Sequence, residues 1–298
     1  VVVKDLAQLD AAFGGTFSST AKTVVDADTK IVITTGDDIV GWGDINKLVE
    51  IDDGSIAATD GGWLNFNGGL THTGGTIDMG LLGELIIDSI ETTPTGGIGA
   101  GSVLSVGTVK IGTLGTGTYT QTGGGVAVTN AYATLILGES AGATGSYLLS
   151  AGTLDTTSAK IGDAGTGVFI QTGGVHTVAD GLGIRLGVQS TGIGSYEISA
   201  GTFTLEDNLI VGDAGRGVVV QTGGTVQHGG TGMNLYIGDA AGGDGTYLIS
   251  GSELTAGHRI DIGRSGTGYM KVTGGASIVT GGFTTDAAHL YVGPNDAA

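Results

Sequence analysis

Three acidic residues share one repeated slot. Asp163, Asp213 and Asp239 each follow an Ile/Val-Gly pair. Carboxylates stacked from one repeat to the next repel unless they are protonated or bridged, so calcium is the ion this slot could hold. The slot also carries Thr113, Glu139, Val188, Arg264 and Pro294, and no calcium nonapeptide recurs at period nine. A turn role, with the carboxylate bonded to nearby backbone, is the expectation. No resident cofactor is expected.

Gln121, Gln171 and Gln221 recur every 50 residues. A catalytic group would not be triplicated. Buried amides that satisfy turn backbone groups are the better reading. His72, His176, His228, His258 and His289 show no paired metal-ligand spacing and read as isolated surface or strand residues. No Gly-x-Ser-x-Gly elbow with a supporting His is evident. The Gly-x-Gly stretches recur with the repeat and precede strands, unlike a phosphate loop. A polysaccharide lyase or hydrolase would need clustered acids with basic groups nearby. The arginines are Arg185, Arg216, Arg259 and Arg264, and Arg185 stands beside no recognisable carboxylate cluster. The chain therefore reads as a non-enzyme with no catalytic residue.

The elements that carry these side chains are repeats. An apolar–x–apolar–Gly word ends at Gly112, Gly138, Gly162, Gly187, Gly212, Gly238, Gly263 and Gly293, at separations of 26, 24, 25, 25, 26, 25 and 30. Its first and third positions are apolar and its middle position is free, the period of a half-buried strand. A second word follows and alternates between two forms. One is Gly117-Thr118-Tyr119-Thr120-Gln121-Thr122-Gly123-Gly124; the other is Gly145-Ser146-Tyr147-Leu148-Leu149-Ser150-Ala151-Gly152. The full unit is thus a pair of coils. Glu197 and Lys271 at outward positions turn Tyr119, Tyr147, Phe169, Tyr196, Val219, Tyr247 and Met270 inward. A third strand follows the double Gly, as in Thr202–Leu205.

Such strands are too short to bury a face alone and must stack on the next repeat. The expected fold is an all-β, right-handed parallel β-helix (a β-solenoid) with about 25 residues and three short strands per coil. It forms one domain over 1–298: an N-terminal strand and cap in 1–15, irregular coils in 16–108 and regular repeats in 109–298. In the irregular part, Ile31–Ile33 and Leu48–Ile51 read as strands, and Leu70–Gly75 as a worn second word. Asp5–Phe13 reads as a short helical cap, with Leu6, Leu9 and Phe13 on one face.

The words Ile161-Gly162-Asp163-Ala164-Gly165-Thr166-Gly167, with Gln171-Thr172-Gly173-Gly174, and Ile237–Gly243 resemble the β-strand repeat of bacterial surface proteins. That repeat is associated with autotransporter passengers and with the PEP-CTERM sorting class. The resemblance covers roughly 109–298. It implies an extracellular β-helical stalk or surface layer and no catalytic residues.

Composition agrees. Of 298 residues, 62 are Gly, 2 are Pro and none is Cys. This excludes collagen, a disulfide scaffold and a helical protein. A net charge of −18 argues against nucleic acid and anionic membranes as partners. No apolar run is long enough to span a membrane. The missing initiator Met suggests a removed secretion signal, hence an extracellular or cell-surface setting.

The ends carry the functional expectation. The last word, Leu290-Tyr291-Val292, opens a coil, and Val1-Val2-Val3 is an apolar strand with no partner of its own. Strand addition of Val1–Val3 to the C-terminal edge of another copy, with Leu6 and Leu9 at the joint, would build a head-to-tail homopolymer. The expected function is a structural subunit of an extracellular filament or matrix. The alternatives are a passenger or adhesin stalk that contacts surfaces or glycans, and a polysaccharide-active enzyme.

Overall fold

The computed structural model describes residues 17–19, 23–24, 30–36, 38–58, 62–80, 82–89, 95–129, 133–228, 234–280 and 289–292. Among them there are strands and turns and no helix. The helical cap expected over Asp5–Phe13 and the Val1–Val3 strand lie outside the described residues.

The alternation seen in sequence becomes burial alternation. Asn234–Ile237 and Thr166–Gln171 each place every second side chain inside. Three such strands form each coil, and each stacks in parallel on its counterpart in the next. First strands align Val109, Leu135, Ala159, Ile184, Leu209, Leu235 and Ile260. Second strands align Tyr119, Tyr147, Phe169, Tyr196, Val219, Tyr247 and Met270. Third strands align Val126, Leu154, His176, Phe203, Val226, Leu254 and Ile278. The inward column expected for the second strands is the one that forms.

The ladders continue through the less regular stretch. Ile31 pairs with Val49, Val49 with Leu70, Leu70 with Gly96 and Gly96 with Tyr119. The described residues form a parallel β-solenoid of about nine turns. Its core is one continuous apolar column from Ile31 to Ile260. Within it the rings stack: Tyr147 on Phe169 at 5.1 Å and Phe169 on Tyr196 at 4.6 Å. Offset aromatic stacking of this kind contributes about 0.5–1.5 kcal/mol per pair beyond area burial.

The Gly that closes the first word at Gly162 has two reasons. At Gly162, φ is +70°, a region that L side chains avoid. A Cβ there would also overlap the carbonyl oxygen of Ile193 in the next coil. The turn has room for backbone alone, so successive coils approach to ladder distance.

Candidate functional site

The polar chemistry of the interior is organised by the three glutamines. Gln121 is fully buried. Its Nε2 donates to the carbonyls of Thr153 at 2.8 Å and Gly124 at 3.4 Å. Its Oε1 accepts from Tyr147 Oη at 2.7 Å. Gln171 repeats this with Thr202, Gly174 and Tyr196 at 2.9, 3.3 and 2.8 Å. Gln221 does so with Glu253 and Tyr247, both at 2.8 Å. The amides satisfy backbone carbonyls as the sequence suggested. The tyrosine half of each clasp comes from the following coil, and sequence reasoning missed it.

The clasp explains the doubled period. Successive second strands place Gln121, Leu149, Gln171, Ile198, Gln221 and Ile249 in one column. Each amide oxygen takes one phenol from above, and an aliphatic residue closes the layer between clasps. Burial raises the pKa of Tyr119, Tyr147, Tyr196 and Tyr247 well above the ordinary phenol value.

One clasp is extended. Tyr196 Oη lies 3.0 Å from His176 Nδ1, and His176 Nε2 lies 3.2 Å from Thr156 Oγ1. The single phenolic proton of Tyr196 goes to Gln171 Oε1, which can only accept. His176 Nδ1 must then carry the proton it donates to Tyr196, and Nε2 accepts from Thr156. Burial lowers the His176 pKa to about 3, so the ring is neutral. His72 and His176 are strand residues, one of the two readings the sequence allowed, and both side chains face the core. His258 Nδ1 lies 3.2 Å from Asn234 Oδ1 on the surface side. The side chains of His228 and His289 lie outside the described residues.

The acidic slot pairs with bases and amides. Asp163 receives Lys160 Nζ at 3.1 Å and Gln189 Nε2 at 3.2 Å. Asp213 meets Arg185 at 2.9 Å, and Asp239 meets Arg264 at 2.9 Å. The Arg264 guanidinium also lies 4.8 Å above the Tyr236 ring. Arg185 thus has a single carboxylate partner in the next coil, which the sequence reading did not name. Lys110 sits between Glu84 at 3.3 Å and Glu139 at 3.4 Å. These cations offset carboxylate repulsion between coils at the part-exposed face, where each pair contributes about 0–1 kcal/mol.

The backbone-bonding role expected of the three aspartates falls instead to Asp88. Its carboxylate accepts from the N–H groups of Thr113, Leu114 and Gly115 at 2.9, 3.1 and 2.9 Å. Three successive amides at one turn make a ready anion cradle. Asp88 takes the place of the closing Gly, so the repeat pattern concealed it. Among the described residues no group of three or more His, Cys, Asp or Glu converges on a metal position. Val188 separates Asp163 from Asp213 in the stack. The letters Gly-x-Ser-x-Gly do occur at Gly138–Gly142, but that turn leads into the strand Thr144–Ile161. A nucleophile elbow needs a helix there.

Of the expected interface residues, Val1, Val2, Val3, Leu6 and Leu9 lie outside the described residues. Leu290, Tyr291 and Val292 belong to the strand His289–Val292, which pairs in parallel with Arg259–Ile262. Among the described residues the rung Thr267–Thr273 pairs with Asp244–Ser250 and with no later strand. Val272 is 43% exposed, whereas Ile249, one coil below in the same column, is 1% exposed. Among the described residues no helix is long and apolar enough to cross a membrane. No protein-family model, no curated protein and no solved structure matches this chain.

Proposed function

We propose that this chain is a non-enzymatic structural subunit of an extracellular filament or surface matrix. β-Solenoids stack head to tail, and each copy continues the ladder of the last. One observation on the described residues supports the reading: Val272 occupies an inner column and is 43% exposed where Ile249 is 1% exposed. Such a position becomes dry when another rung covers it, at about 25 cal/mol per Å² of apolar area. An open strand edge also presents unpaired backbone groups that a further strand satisfies.

A second copy supplies both strand and apolar cover, and a head-to-tail contact of this kind does not close on itself. In this reading Val1–Val3 adds beside Leu290–Val292, with Leu6 and Leu9 over the joint. We assign the 25-residue words to the β-strand repeats of autotransporter passengers and PEP-CTERM surface proteins. The extracellular setting follows from that assignment.

Electron microscopy and sedimentation velocity of the purified chain test it. Filaments are expected from the parent. Val272→Lys, and deletion of residues 1–5, should each leave monomers whose melting temperature is unchanged. A parent that stays monomeric at every concentration overturns the proposal.

A further inference from the structure

The outward face of the second strands carries charges that complement themselves. Strands Ile193–Ile198, Arg216–Gln221, Asp244–Ser250 and Thr267–Thr273 stack in parallel without a bulge. Every second side chain turns outward. Ile193, Arg216, Asp244 and Thr267 form one outward column. Ser195, Val218, Thr246 and Tyr269 form the next, and Glu197, Val220, Leu248 and Lys271 the third. The three preceding rungs show only Thr, Ser, Val, Leu and Ile in these columns. The charges of this face are therefore two of each sign, confined to four adjacent rungs. Among the described residues none of the four enters an ion pair, although Arg216 stands directly opposite Asp244 in the ladder.

Their order has a twofold symmetry. The third column reads acid, Val, Leu, base from Glu197 to Lys271, and the first carries Arg216 and Asp244 on its two middle rungs. Consider a half-turn about an axis along the strands, midway between the Arg216 and Asp244 rungs. It carries Glu197 to the place of Lys271, and Arg216 to that of Asp244. A second copy turned this way lays its face on the first with each charge opposite its complement. Val220 meets Leu248 in the middle; both are half-buried in the single chain. Ile193 and Tyr269, 46% and 53% exposed, come together at the corners. A side-by-side pair running in the same direction would instead set Arg216 on Val220 and Asp244 on Leu248, covering charges without partners.

We propose that this face joins two copies of the chain side by side and antiparallel. The footprint of four rungs is roughly 20 Å by 19 Å, smaller than the ~800 Å² per partner of a standard interface. The pair is accordingly weak, held by charge complementarity and loosened by salt. It leaves the ends of the ladder untouched and does not depend on head-to-tail growth.

Site-specific cross-linking tests it, because the chain has no cysteine of its own. Ile193 of one copy faces Thr267 of the other. Chains carrying Ile193→Cys and chains carrying Thr267→Cys, mixed and treated with a short bismaleimide, should give covalent dimers. Either variant alone should give none, since the half-turn sets the two copies of each position about 14 Å apart along the stack. Adding Glu197→Lys to both chains should cut the yield by about tenfold. Adding Lys271→Glu as well should restore it, which a merely structural effect of the first substitution would not do. No cross-link in the mixture, cross-linking of either variant alone, or no rescue by the charge swap overturns the proposal.

Discussion

Tyr147 donates its phenolic proton to Gln121 across a coil boundary, at 2.7 Å and 26 residues away in sequence. The bond ties one coil to the next inside an otherwise apolar column. An apolar stack tolerates small slips because any aliphatic residue can sit on any other. A buried amide and phenol tolerate none, since each misplaced group loses its only partner. The clasp therefore fixes register as well as adding stability.

Breaking one clasp should cost more than removing it whole. Gln121→Leu strands Tyr147 Oη and two carbonyls and should cost about 1–3 kcal/mol. Adding Tyr147→Phe should recover part of that loss, because no phenol is then left unpaired. Urea denaturation of the two single variants and the double variant measures the difference.

Acid should weaken the fold through His176. The unfolded chain binds a proton at this imidazole below about pH 6.5. The folded chain does so only below about 3. Between those values the unfolded state holds more protons, so stability falls as pH drops from 6.5 toward 3. The loss approaches on the order of 4 kcal/mol at the low end. His176→Gln keeps a donor and an acceptor without the titration. The urea midpoint of that variant should change less with pH over this window.

Alkali acts in the opposite direction. Burial holds Tyr119, Tyr147, Tyr196 and Tyr247 protonated well beyond the ordinary phenol range. Unfolded tyrosines ionise near pH 10. Stability contributed by these four is present below pH 10 and is lost as pH rises beyond it. In an absorbance titration, four of the eight tyrosines should ionise only together with the loss of β-sheet circular dichroism.

Two glycines with similar φ separate backbone strain from crowding. Gly142, with φ +84°, has open space where a Cβ would sit. Gly162→Ala meets both the φ penalty and the carbonyl of Ile193. Gly142→Ala should cost about 1 kcal/mol. Gly162→Ala should cost clearly more and lower the melting temperature further.

The repeat itself was legible in the residues. Eight apolar–x–apolar–Gly words at near-constant spacing, with period-two alternation, dictate parallel stacking, because no single strand of four residues can bury its face. The inward path of Tyr119, Tyr147 and Phe169, and the burial of Gln121, Gln171 and Gln221, followed from the same alternation. Partnerships between coils did not. That Tyr147 rather than Tyr119 meets Gln121, that Arg185 meets Asp213, and that Asp88 fills the cradle at Thr113–Gly115 depend on contacts 25–28 residues apart. A local pattern fixes which face a side chain takes. Only the closure of each coil, through turns of unequal length, fixes which residue of the neighbouring coil lies within reach.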